Sequence, residues 1–277
     1  MPEFVRNMQI ALLCFFPVTI CDARFDHSIW DNLLRDHVVL MQQGQSNRID
    51  FPGLSFKMGQ LNSYLAKISH VKRSEFLEWD RSEQLAFLIN AYNAFTVESR
   101  LRISSSPALP KAYPLRNIRQ KSVLISWIRN QWNIQSIHMM GELLSLQELD
   151  EDWIRRPGLY DEPRVHFALY RGFHEGPALF NRAYDGLQLD QQLEKATRAF
   201  LSNRLRNRLD TVTHTLEVSE LFKWYQSDFE RSWQGWPGLP QFFAQYRHHL
   251  ADDSASEQML ADDNFQITFQ EFNWSQQ

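Results

Sequence analysis

One segment limits the fold more than any other: RSEQLAFLINAYNAFTVESRLR, residues 81–102. It is long, free of glycine and proline, and apolar on nearly every side. That pattern predicts a helix inside the protein rather than one with a single buried face. A helix wrapped on all sides needs other elements around it, and 277 residues with 43% hydrophobic content supply enough chain for a large core. Within it, Asn90 and Asn93 lie three apart and project to one side. Buried amides must bond something, so they either clamp the backbone of a neighbouring loop or orient a catalytic group or ligand.

The flanking pattern predicts mostly helices. Apolar spacing marks helices over 27–40, 57–68, 189–205 and 240–250, and over 219–233, where Ser219 is placed to cap. SLQE (145–148) reads as a capping box that starts a helix running to about Arg156. Between them, 134–146 reads as two short strands joined around Gly141-Glu142, and 213–218 and 265–272 as further strands. RVHFALY (164–170) alternates and also reads as a strand. Residues 44–54 and 104–114 read as loops. Without an internal repeat or a shift in composition, the expected architecture is a helix-rich α+β single domain, residues 24–277, with a small, mainly antiparallel sheet.

The first 23 residues differ. Arg6 precedes the apolar run MQIALLCFFPVTI (8–20), and CDA (21–23) offers small residues before Arg24, the layout of a secretory signal cleaved after Ala23. Export to the periplasm or the outside of the cell is the expectation, with no transmembrane span in the mature chain. Lipid anchoring at Cys21 is disfavoured because Ile20 is not a small residue. Cys14 and Cys21 are the two cysteines of the chain, so a mature form would lack thiol chemistry altogether.

A net charge of -4 gives no general attraction to nucleic acid, and RNIRQK (116–121) and RLRNRL (204–209) read as solvated faces. No phosphate-binding loop, serine elbow or close metal-ligand spacing occurs, so neither cofactor nor metal is expected. His166 is the candidate general base. His174 and Glu175, beside Gly176-Pro177, form a second, loop-borne pair.

Several blocks resemble the family catalogued as domain of unknown function 547: QLAFLINAYNAFTVESRL (84–101), LSLQELDEDWIRR (144–156), RVHFAL (164–169), AYDGLQLDQQLEKATRAFL (183–201), VSELFKWYQSDF (218–229) and EFNW (271–274). The resemblance implies one domain, often exported in bacteria, with no established activity to carry over. Arg164, His166, Asn90 and Asn93 match the family pattern. Where relatives carry Cys-Ala-Ser-x-x-Cys-Pro, this chain has Arg171 and Gly176 at the cysteine places, and Asp150-Glu151 stands where relatives carry Glu-His. Two outcomes follow: an envelope binding or structural protein, or degenerate enzyme, that holds an unknown small ligand or envelope protein; or a hydrolase-like enzyme with His166 as base and Asp150 or Glu151 as its orienter or as the acid. Asn90, Asn93, Arg164 and His174 are then the candidate binding residues.

Overall fold

The computed structural model describes residues 24–104 and 133–272. The expected signal segment, most of the loop at 104–114 and the basic run at 116–121 lie outside them. The buried helix is α5, Arg81–Ser104. From Leu85 to Ala94 no residue exceeds 4% exposure, so the helix is enclosed on every side. Its wrapping comes from α1 (Ser28–His37), α2 (Phe51–Phe56), α3 (Met58–His70), α4 (Arg73–Glu78), α6 (Leu146–Glu148) and α7 (Leu189–Leu201). Trp30, Tyr64 and Phe87 are among the large side chains filling this first core.

The remaining elements build a second core from aromatics. They are β5 (Arg208–Asp210), β6 (Thr215–Ser219), α8 (Leu221–Trp224), α9 (Gln226–Glu230), α10 (Leu239–Gln245), α11 (Arg247–Leu250), α12 (Ser254–Ala261) and β7 (Gln266–Gln270). Phe167, Phe222, Phe229 and Phe242 meet there with ring centroids 5.0–6.2 Å apart.

The fold is helix-rich α+β, and among the described residues the strands form three small sheets. Strand β1 (Val38–Met41) pairs antiparallel with β2 (Ser46–Ile49), and β3 (Ile137–Met139) with β4 (Glu142–Leu144). In the third, β6 runs antiparallel to β5 and parallel to β7. The turn between β3 and β4 is Met140-Gly141, both at positive φ, as a tight hairpin requires. None of the described helices is long and apolar enough to cross a membrane.

Besides residues 44–54, which hold β2 and the start of α2 rather than a loop, four local expectations need correction. Helix α1 stops at His37, because Val38–Met41 pairs with β2 instead of continuing the helix. Helix α7 ends at Leu201, and within RLRNRL Arg206 is buried, donating to the carbonyls of Gln45 and His174. The 219–233 helix is two pieces broken at Tyr225, with Ser219 closing β6, although its hydroxyl still accepts from Leu221 N.

The fourth matters most. RVHFALY is no strand: Pro163–Phe167 forms a 3-10 turn. Pro163 presets the backbone, and the Glu162 carboxylate accepts from the Arg164 amide at 3.0 Å. The groups a partner strand would need are taken by α5, since Asn93 donates to Ala168 O at 3.0 Å and accepts from Tyr170 N at 2.8 Å. The segment lies between the two cores, with Val165, Ala168 and Leu169 in the first and Phe167 in the second. Burial on both sides removes the polar face that alternation suggested.

Candidate functional site

His166 sits at this junction with no exposed surface. Its Nε2 lies 2.9 Å from Oδ2 of Asp228 on α9. A carboxylate only accepts, so Nε2 carries the proton and Nδ1 of the neutral ring is a bare acceptor. The same Asp228 oxygen accepts from Arg155 Nη1 at 2.8 Å, and Arg155 Nε donates to Asp150 Oδ1 at 2.8 Å. Arg171 Nη1 reaches Asp150 Oδ2 at 3.3 Å. The result is a chain of alternating charge, His166–Asp228–Arg155–Asp150–Arg171, closed around one ring. Tyr225 stacks on His166 with centroids 4.0 Å apart, and the guanidiniums of Arg155 and Arg171 each lie 4.7 Å from its centre.

Local backbone explains how Asp150 and Arg155 meet. The Ser145–Glu148 capping box starts α6, with Ser145 Oγ accepting from Glu148 N and Glu148 returning to Ser145 N. Helix α6 then widens into a π-helical turn, Leu149–Ile154. Arg155 N donates to Asp150 O at 2.9 Å, so residues five apart stand over one another and their side chains pair.

Burial pushes the His166 imidazole down to about 4 and outweighs its hydrogen bond to Asp228, and the nearby Arg155 charge pushes in the same direction as burial. Burial alone would raise Asp228, but the hydrogen bonds from His166 and Arg155 hold it at about 2. Two aspartates therefore face two arginines, and His166 is neutral. Three nitrogens in the cluster are buried with no hydrogen-bond partner among the described residues: His166 Nδ1 and Arg171 Nε and Nη2.

The sequence-derived candidates separate. His166 and Asp150 share the network, linked through Arg155 and Asp228 rather than touching. Glu151 is exposed and turns to Gln147. Asn90 and Asn93 act as backbone clamps, Asn90 bonding Tyr184 O and Tyr184 N as Asn93 does Ala168 and Tyr170. Arg164 belongs elsewhere, held by Glu162, Asp190 and Glu194. His174 is exposed and contributes only its carbonyl, to Arg206. Sequence reasoning missed Asp228, Arg155 and Tyr225. A carboxylate inside the apolar run LFKWYQSDF was the available signal.

Two clefts are prominent on the described surface. One of about 330 Å³ lies between α3, α5 and β3, and one of about 460 Å³ runs along α7. Neither is lined by His166. Ser202 and His249 line the second, with Oγ and Nδ1 3.4 Å apart, but no carboxylate among the described residues is bonded to the imidazole to make it an activating base. Among the described residues, no group of three or more metal-ligating side chains converges.

A helix-rich α+β fold with an enclosed His–Asp–Arg network is the class of protein these features define. The family is more specific: residues 76–201 match the one described as protein of unknown function, DUF547. The matched stretch includes α5, the π-helical turn, His166 and Arg171. Comparison with curated proteins and with solved structures finds no match.

Proposed function

We propose that this chain is an exported binding or structural protein of the cell envelope, a degenerate member of its family rather than a working hydrolase. The observation that carries the reading is the complete enclosure of His166, whose free nitrogen Nδ1 is buried and which lines neither of the two prominent clefts. A general base must come within hydrogen-bond reach of a substrate proton. Arg171 adds support: it occupies a place where the resemblance put a relative's cysteine, and its buried ion pair with Asp150 fills that place with charge. The network then serves to fix α6, α9 and the 163–171 segment against each other.

The alternative, hydrolysis with His166 as base, draws on the His166–Asp228 pair, which resembles a base and its orienter. A panel of ester, amide and phosphate substrates separates the two readings. No turnover above buffer is expected; turnover lost in His166→Gln would overturn the non-catalytic reading. Export is tested by expressing the full chain with its first 23 residues and sequencing the product's amino terminus. It should begin at Arg24, and a cytoplasmic protein still beginning at Met1 would refute export.

A further inference from the structure

The cleft along α7 is, we infer, a binding site for an acidic saccharide, a polyhydroxylated ring bearing a carboxylate. The inference deepens the proposed binding role and rests on that reading. Gln43, Gln45 and Gln191 present side-chain amides to the cleft, and none of these amides has a partner among the described residues. A primary amide both donates and accepts, the complement of two neighbouring hydroxyls. Ser202 and His249, whose imidazole burial pushes down, add a hydroxyl and an imidazole.

The charges of the cleft single out Lys195. Asp190 is bonded to Arg164 at 2.7 Å, and Glu194 to the Tyr246 hydroxyl at 2.6 Å and Arg198 at 2.7 Å. Lys195 has no carboxylate among the described residues; its ammonium lies 5.6 Å from the centre of the Phe180 ring. An anionic group on the ligand would complete it, while the glutamines hold the ring.

The loop that carries two of the glutamines is built and fixed. Gln42, Gln43 and Gly44 all adopt positive φ, which is disfavoured for the first two. Gln45 O is held from behind by Arg206 at 2.6 Å and Asn203 at 3.2 Å, both buried, and Gly44 packs against Ala199 and Phe180. A strained loop clamped by a buried arginine is preorganised. At about 460 Å³ the cleft is within the range of small-ligand sites.

The test uses the full chain and three probes: glucuronate, glucose and acetate. Titration followed by glutamine side-chain amide resonances should show saturable glucuronate binding, with glucose about tenfold weaker and acetate weaker still. Lys195→Met should reduce glucuronate affinity about tenfold and erase the preference over glucose. Gln191→Ala should weaken both sugars; both residues are exposed on α7, so the fold is not at risk. No saturable response to glucuronate, acetate binding as well as glucuronate, or a Lys195→Met variant equal to wild type would each overturn the proposal. Such failures appear in binding, whereas failure of the non-catalytic reading appears as His166-dependent turnover.

Discussion

Acidification should loosen this fold through His166. A histidine whose folded value lies below its unfolded one takes up a proton on unfolding, so stability is complete above about 6.5 and declines as the pH falls toward about 4. The interval is about 2.5 pH units, and at about 1.4 kcal/mol per unit the full effect is about 3 kcal/mol. Lowering the pH from about 8 to about 5 should remove about 2 kcal/mol of it. His27, also lowered to about 4 by burial, titrates over the same window, so the diagnostic quantity is a difference between proteins. In His166→Gln the amide can still donate to Asp228 but does not titrate. Urea unfolding followed by tryptophan fluorescence at both pH values gives the comparison. The variant should be less stable at about pH 8, yet lose about 2 kcal/mol less than wild type on acidification. An equal loss in both proteins, or a His166 imidazole resonance titrating near 6.5 in the folded state, would refute the argument.

Other substitutions separate the parts of the network. Arg171→Met should change stability by less than about 1 kcal/mol, since Asp150 keeps Arg155; Arg155→Met should cost about 3–5 kcal/mol, because buried Asp228 loses its close cation and keeps only the neutral His166 N–H, while Asp150 is left with the longer Arg171 contact. Thermal or urea unfolding of the two side by side checks the contrast. Asn93→Ala should cost about 3 kcal/mol, because Ala168 O and Tyr170 N lose the Asn93 amide inside the core. Gly186→Ala should be poorly tolerated: a Cβ there would lie 2.8 Å from Glu83 Cα, and soluble yield with unfolding midpoint would report the displacement.

The sequence carried α5 well because its signal is redundant: all residues from Leu85 to Ala94 except Asn90 and Asn93 are apolar or aromatic and favour burial, whatever packs around them. The capping box at Ser145 was equally legible, being local in chain and in chemistry. RVHFALY failed for the opposite reason. Its backbone partners are side chains of α5, more than seventy residues away, and no local pattern distinguishes a strand from a turn whose two faces are both buried. The His166 site was half legible. The histidine stood out, but Asp228 lies 62 residues further on, and Arg155 reached it through a π-helical turn that residue spacing does not announce.

The 163–171 segment also bears on where this molecule could be divided. Phe167 is rooted among the C-terminal aromatics while its neighbours on either side, Val165 and Ala168, belong to the packing around α5. Melting one half would therefore pull apart the other, and the chain should denature as one cooperative unit. A fragment ending before Pro163 would expose apolar surface on α5, and one beginning after Tyr170 would lack the ring at the centre of its own core. Split reporters and truncated domains are therefore poor choices for this protein, and it is best handled whole.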